Sequence, residues 1–307
     1  MTKVFRSAPL PFQGQKRKLL PNVEEKLRRL SSKVHTIVDL FGGSGLLSYT
    51  AKRICPHCEV IYNDFDDYHI RLEHIEETNA ILNYLREALK DVPKDKRVPE
   101  DIQSQIIDFL AETEKQNGYV DYLTISSAIL FSTVYEKNLE GLGKHLFWNK
   151  VPLKNYTIPD GYLDGLMIKK LSYLVLMQDV INYTGGGKTI LFLADPPYEN
   201  TDVSAYTDMH CWNITEYLKL IHLLADKNYI YFTSNKSQLI DIFKFFGQMQ
   251  NFKTPFFGAQ IETTQNAINY QSGYTDIMIS RFLPGCYLGD GILPGIDESL
   301  VLDRINF

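Results

Sequence analysis

Hydrophobic positions along the chain follow two periods, and each change of period marks a change of structure. Leu20, Val23, Leu27 and Leu30 recur at helical spacing. They predict a helix near residues 22–32, with Asn22 and Glu25 placed as an Asn-initiated capping box. His35 to Leu40 then reads as a buried strand that runs into Phe41-Gly42-Gly43-Ser44-Gly45, and Leu46 to Arg53 reads as helix again. Glu59 to Tyr62 reads as a second strand, ending at Asn63-Asp64. Strand, glycine turn, helix and strand in this order open a doubly wound α/β sheet.

From Asp67 to about Lys170 the pattern turns helical. Ile70, His74, Ile75, Thr78, Ile81, Leu82, Leu85 and Leu89 predict one long helix. A charged stretch with Pro93 and Pro99 separates it from another helix around Ile106 to Leu110. No segment here has the β-branched look of a buried strand, so the region reads as a mostly helical insertion. Sheet pattern resumes at Thr189 to Ala194, and Asn213 and Glu216 are placed to cap a helix through Leu224. Tyr229 to Thr233 reads as strand and Ser237 to Phe246 as helix. Asn251 to Phe257 and Thr275 to Phe282 read as an antiparallel strand pair joined by a polar loop. The chain therefore divides into a sheet domain, residues 1–66 and 172–307, and an insertion, residues 67–171.

Composition narrows the class. With 44% hydrophobic and 22% charged residues over 307 positions, wholesale disorder, collagen and coiled coil drop out. No apolar run reaches the ~18 residues of a membrane span, and Met1 to Arg6 lacks the apolar core of a signal peptide. Four cysteines in a chain this long do not make a disulfide framework, and the cytoplasm is the expected location. The net charge of −5 argues against a polyanion partner. Its distribution argues otherwise: residues 1–34 carry nine Lys and Arg against Glu24 and Glu25, a net +7, which leaves −12 on the rest.

Two segments carry chemistry. Asp195-Pro196-Pro197-Tyr198 follows a buried strand directly. Paired prolines cannot continue a ladder and hold an extended strand exit, at the carboxyl end of the sheet where α/β proteins bind ligands. The exit offers a carboxylate, a carbonyl and an aromatic ring, which suit a planar amine: two acceptors for its N–H groups and a face to stack on. The second segment is Asp39-Leu40-Phe41-Gly42-Gly43-Ser44-Gly45, with Asp64 lying 19 residues past Gly45 where a ribose-binding acid belongs. Ser48 stands where a dinucleotide fingerprint has its third glycine, and Asp39 would repel a pyrophosphate. An adenosine cofactor without a phosphate and with a cationic end, S-adenosylmethionine, fits this loop.

Together with Pro11-Phe12-Gln13-Gly14-Gln15-Lys16 at the N-terminus and Ser234-Asn235 after a later strand, these motifs resemble the Dam-type (D12 class) family of DNA adenine-N6 methyltransferases. The order of motifs matches, and 150 residues separate Gly45 from Asp195, enough for an inserted target-recognition domain. Ribosomal guanine methyltransferases also carry the tetrapeptide but lack the N-terminal motif and the long insertion. The resemblance implies a class I S-adenosylmethionine-dependent, Rossmann-like sheet. It also implies methyl transfer to the exocyclic amine of a flipped adenine in double-stranded DNA. Asp195 and the Pro196 carbonyl would accept the amine hydrogens, freeing the nitrogen lone pair for in-line attack, and Tyr198 would stack on the base. Pro197 completes the motif.

By the same resemblance, Phe12, Gln15, Lys16 and Asp195 would contact the cofactor, Asp64 its ribose, and Asp39 with Phe41, Gly42, Gly43, Ser44 and Gly45 its methionine part. The family's usual tryptophan is Phe12 here, and its Gly-Gly-Lys is Gly14-Gln15-Lys16. Arg17 and Lys18 would meet phosphates, and the mildly basic Leu139 to Asn155, with Lys144, Trp148 and Lys150, would read DNA. Such a protein would be encoded by a bacterium, a phage or a mobile element. An RNA or cytosine-N4 methyltransferase, or a silent DNA-binding protein of the same fold, remain open readings.

Two further motifs are read as structural. Cys55-Pro56-His57-Cys58 has dithiol spacing but closes a helix before a strand, and Cys211 and Cys286 form no second ligand pair, so no metal site is expected. Gly185-Gly186-Gly187-Lys188-Thr189 lacks a phosphate loop's first glycine, Asn182 standing in its place, and precedes a strand.

Overall fold

The buried, β-branched runs of the sequence become a mixed sheet. Strands β1 (Thr36–Asp39), β2 (Glu59–Asn63), β3 (Leu166–Lys169), β4 (Ile190–Ala194), β5 (Asn228–Ser234), β6 (Gln260–Ala267) and β7 (Gly273–Arg281) lie in the order β3-β2-β1-β4-β5-β7-β6. The first five pair in parallel, and β7 runs antiparallel to both β5 and β6. The computed structural model describes residues 4–131, 134–185, 189–197, 212–247, 256, 258–267 and 273–288. They form two compact units. One holds the described residues among 16–65, 163–197 and 212–288, the other those among 4–15 and 66–162.

In the sheet unit, helices α1 (Leu20–Arg28), α2 (Leu46–Ile54), α8 (Tyr173–Tyr183), α9 (Ile214–Leu224) and α10 (Gln238–Gly247) accompany the strands. Val38, Ile190, Phe192, Leu220, Ile277 and Ile279 belong to one apolar core, to which both sheet and helices contribute. Burying these side chains contributes roughly 1.5–3 kcal/mol each. Parallel pairing brings Asp39, Asn63, Ala194 and Ser234 to one edge, the carboxyl ends of β1, β2, β4 and β5.

The structure corrects several element readings. Strand β3 lies in the stretch read as helical insertion. It is an edge strand whose Met167 and Ile168 are exposed, so it lacks the buried signature of a central strand. Strand β6 occupies what read as a polar loop, because its polar side chains have partners on α1: Lys26 Nζ pairs with Glu262 at 2.6 Å and donates to Gln260. Of the strand expected at Asn251 to Phe257, Phe256 is in a turn and the other residues lie outside those described. The capping box does not form. Helix α1 starts at Leu20, with Pro21 in its first turn, so Asn22 sits inside the helix and Glu25 pairs with Arg29. At α9 the expected cap does form, the Asn213 side chain accepting from the N–H groups of Thr215 and Glu216 at 3.0 and 3.2 Å.

The second unit is helical: α3 (Tyr68–Glu73), α4 (Ile75–Ala88), α5 (Glu100–Asn117), α6 (Tyr122–Ile129) and α7 (Leu139–Gly143). The single long helix expected from Ile70 to Leu89 is broken at His74, whose ψ of 25° leaves the helical well. Its ring stacks on Tyr119, with centroids 4.3 Å apart. Leu82, Leu85, Ile106, Leu110 and Ile125 form the core of this unit. Beside it Arg71, 4% exposed, donates to Asp121 at 3.0 Å and to the hydroxyl of Thr124 at 3.0 Å, so a buried charge is fully engaged. Among the described residues, no helix is long and apolar enough to cross a membrane.

Candidate active site at the carboxyl edge of the sheet

The glycine loop is shaped by the strand beside it. The Tyr62 hydroxyl donates to the Gly43 carbonyl at 2.7 Å, and the Tyr62 ring lies so close that a Cβ on Gly42 would fall 2.3 Å from it. Gly45 adopts φ +75°, a left-handed conformation that turns the chain into α2. Ser44 is buried in the same loop. Asn63 ties the loop's root to its neighbours. Its amide donates to the carbonyls of Leu40 and Leu171, both at 2.9 Å, and accepts from Leu171 N–H at 3.0 Å. Asp64 is buried at the end of β2, its N–H donating to the Lys169 carbonyl at 2.8 Å.

Asp39 is 0% exposed. Its Oδ2 accepts the Ser48 hydroxyl at 2.7 Å, while Oδ1 is buried with no hydrogen-bond partner. Ser48, which breaks the dinucleotide fingerprint, thus holds the loop's carboxylate. Burial pushes the Asp39 carboxyl up to about 7, against the Ser48 hydrogen bond, and the nearby Asp195 pushes it the same way.

Asp195 leaves β4 at this edge. Lys16 Nζ pairs with its Oδ2 at 2.7 Å, the two side chains being 5% and 16% exposed. Burial raises the Asp195 carboxyl, Lys16 lowers it, and Asp276 raises it further. Asp276 sits on β7 opposite Ser234. Nearby, Asn235 clamps Thr275 through its backbone N–H (3.0 Å) and its side-chain oxygen (2.9 Å), and Lys236 Nζ lies 5.5 Å over the Tyr274 ring. Burial, then Asp276 and Asp195, raise the Tyr274 phenol.

The structure therefore gathers Lys16, Asp39, Phe41–Gly45, Asp64 and Asp195–Pro197 within the sheet unit. Tyr198 and Cys211 lie outside the described residues. Phe12 and Gln15 lie in the helical unit. There Phe12 meets Tyr68 edge to face at 5.7 Å, and Gln15 bonds the Phe12 carbonyl (3.2 Å) and the Ala8 N–H (2.9 Å). Arg17 is exposed, but Lys18 Nζ donates to the Gln265 carbonyl of β6 at 2.9 Å. Sequence reasoning missed a group of rings at the same edge. Phe41 meets Trp212 at 5.1 Å and Tyr173 at 5.6 Å, and Trp212 meets Tyr217 at 5.2 Å. Isolated aromatics on different elements give no local motif.

The candidate reading segment is built differently from its linear pattern. Residues Lys96 and Arg97, within the charged stretch, pair with it: Val98 N–H donates to the Phe147 carbonyl (2.8 Å), Asn149 N–H to that of Lys96 (2.9 Å), and Arg97 bridges Trp148. Exposed Phe131 meets Trp148 at 5.3 Å, and Lys150 Nζ lies 5.3 Å over the Phe131 ring and 3.6 Å from Asp95. Lys144 pairs with Glu140 at 2.7 Å, both exposed. Cys55 and Cys58 are free buried thiols whose sulfurs lie 3.5 Å from the Leu27 carbonyl and 3.3 Å from the Val34 carbonyl. A hydrogen bond between the two thiols raises Cys55 and lowers Cys58.

A β3-β2-β1-β4-β5-β7-β6 sheet with β7 inverted, and a glycine loop and an acidic proline exit on one edge, define a class I methyltransferase fold. The chain belongs to the D12 class N6 adenine-specific DNA methyltransferase family, whose model matches residues 12–249. It is also 38% identical, over 256 residues, to a Haemophilus influenzae protein named "Putative methyltransferase", covering 82% of this chain and 83% of that one.

Asp39 gives a pH test of this site. The folded chain holds its proton until about pH 7, whereas an unfolded Asp releases it near pH 4. The Asp39 contribution to stability therefore falls as pH rises from about 4 to about 7, by on the order of 4 kcal/mol. Urea unfolding at several pH values should show this fall in the wild type and a flatter curve in Asp39→Asn. Equal slopes in both proteins would contradict the assignment.

Proposed function

We propose that the protein transfers the methyl of S-adenosylmethionine to the exocyclic amine of an adenine flipped out of double-stranded DNA. The observation that carries this reading is the buried Asp39 Oδ1, which lacks a partner beside a loop too tight for any side chain at Gly42. A buried carboxylate oxygen left unpaired costs about 1–3 kcal/mol or more, and a cationic ligand relieves that cost. Asp39, the Phe41–Gly45 loop and Asp64 would hold the cofactor, and bound there it supplies a methyl on an electrophilic sulfonium. Because Asp39 must ionise to meet a cation, ligand affinity should strengthen as pH rises toward and through 7. The roles of Phe12 and Gln15 rest on their motif alone.

Asp195 uses Oδ2 for Lys16, leaving Oδ1 to accept one amine hydrogen while the Pro196 carbonyl accepts the other. Both acceptors draw the nitrogen toward sp³ geometry and aim its lone pair, so the residues act chiefly by positioning. Tyr198 would stack on the extruded base. Target recognition falls to the helical stretch within residues 67–171, where Phe131, Trp148 and Lys150, with Lys96 and Arg97 close by, combine an exposed ring with several cations. Cations there and at Arg17 would meet phosphates.

Two measurements test this reading. Asp195→Ala should abolish methyl transfer while calorimetry still detects cofactor binding; near-normal turnover would sink the catalytic assignment. The double substitution Arg97→Ala with Lys150→Ala should make DNA binding less salt-dependent, by about 0.9 in the log–log slope per phosphate contact removed. An unchanged slope would remove those residues from the DNA face.

A further inference from the structure

The two prolines after Asp195 leave the strand exit without backbone donors. Neither Pro196 nor Pro197 has an N–H, so past Asp195, which Lys16 holds, only their carbonyls offer the backbone a hydrogen bond. In the proposed reaction the Pro196 carbonyl must stay available to the amine. An anchor therefore has to act on Pro197.

Tyr217 provides that anchor. Its hydroxyl donates to the Pro197 carbonyl in a buried hydrogen bond. Tyr217 is 1% exposed and sits near the start of α9, whose first turn Asn213 caps. Its ring meets Trp212 at 5.2 Å and 66°, and Trp212 meets Phe41 of the glycine loop at 5.1 Å and 76°. Tyr173 leans on both Phe41 (5.6 Å) and Trp212 (5.3 Å), and its hydroxyl donates to Glu216 at 2.9 Å. A continuous train of rings thus runs from the glycine loop to the carbonyl behind the catalytic motif. Edge-to-face contacts of this kind contribute about 0.5–1.5 kcal/mol each beyond area burial, enough to hold one relative geometry.

We propose that Tyr217 is a positioning residue: its hydroxyl fixes the Pro197 carbonyl and thereby the Asp195 and Pro196 acceptors, and its ring keeps that exit in register with the glycine loop through Trp212 and Phe41. The proposal rests on the methyltransferase reading above. It separates two properties of one side chain. The hydroxyl sets where the amine acceptors stand, and the ring sets where they stand relative to the glycine loop. Displacing reacting groups by even ~1 Å can cost about 10²-fold in rate.

The test compares wild type, Tyr217→Phe and Tyr217→Leu by steady-state methylation of DNA, with rates normalised to folded protein and thermal unfolding measured alongside. Tyr217→Phe keeps the ring and loses only the hydroxyl. It should lower kcat about 10- to 100-fold, the cost of a small displacement, with KM for cofactor and DNA and the melting temperature close to wild type. Tyr217→Leu breaks the train as well and should also raise KM for the cofactor. A Tyr217→Phe protein that turns over at the wild-type rate overturns the proposal and leaves the methyltransferase reading standing. So does a rate loss that merely tracks a loss of cofactor affinity, because a filler of the core would behave that way. A folded wild-type protein that methylates neither DNA nor RNA overturns the methyltransferase reading, and the proposal with it.

Discussion

The carboxyl edge of the sheet is organised around the ion pair of Lys16 and Asp195. Its members are 5% and 16% exposed and 2.7 Å apart. At such burial an unpaired carboxylate would take up a proton rather than stay charged. Lys16 holds Asp195 toward the charged form, fixes one of its oxygens and leaves the other free. The same residue shapes the turn that leads into α1, its carbonyl accepting from the N–H groups of Leu19 and Leu20 at 3.0 and 3.1 Å. Lys16 and the strand exit at Asp195, distant in sequence, are thus joined by this contact. Asp39 and Asp276 bring further acidity to the same edge, each raising the cost of charge on Asp195 or receiving it from there. Carboxylates gathered at one edge favour a cationic ligand over a phosphate, the electrostatic reason behind the proposed cofactor.

Much of this was legible in the sequence. Short β-branched runs fixed by burial became β1, β2, β4, β5 and β7, and the glycine loop and proline exit declared themselves as local patterns. What escaped were features that depend on partners elsewhere in the chain. Strand β6 is polar because Lys26 neutralises Glu262, and β3 is exposed because it has a neighbour on one side only. The ring train needed three elements to meet. The Arg97–Trp148 bridge joins segments about 50 residues apart, a separation at which no periodicity survives.

The basic N-terminal stretch changes meaning in the folded chain. Its +7 suggested a phosphate-facing surface, yet Lys16 pairs with Asp195, Lys18 with a β6 carbonyl, Lys26 with Glu262, and Arg28 and Arg29 with Glu24 and Glu25. Much of that charge serves internal pairing. The cations near Trp148 in the helical unit are paired as well, Arg97 with Glu100 and Lys150 with Asp95, both at 3.6 Å.

Methyl transfer to adenine is the chemistry on which the proposed residue roles depend. Purified protein incubated with methyl-labelled S-adenosylmethionine and duplex DNA or RNA, followed by nucleoside analysis, measures it directly. Label is expected in N6-methyldeoxyadenosine from duplex DNA. Label in N4-methylcytosine, or in RNA alone, or in no nucleoside at all, would contradict it.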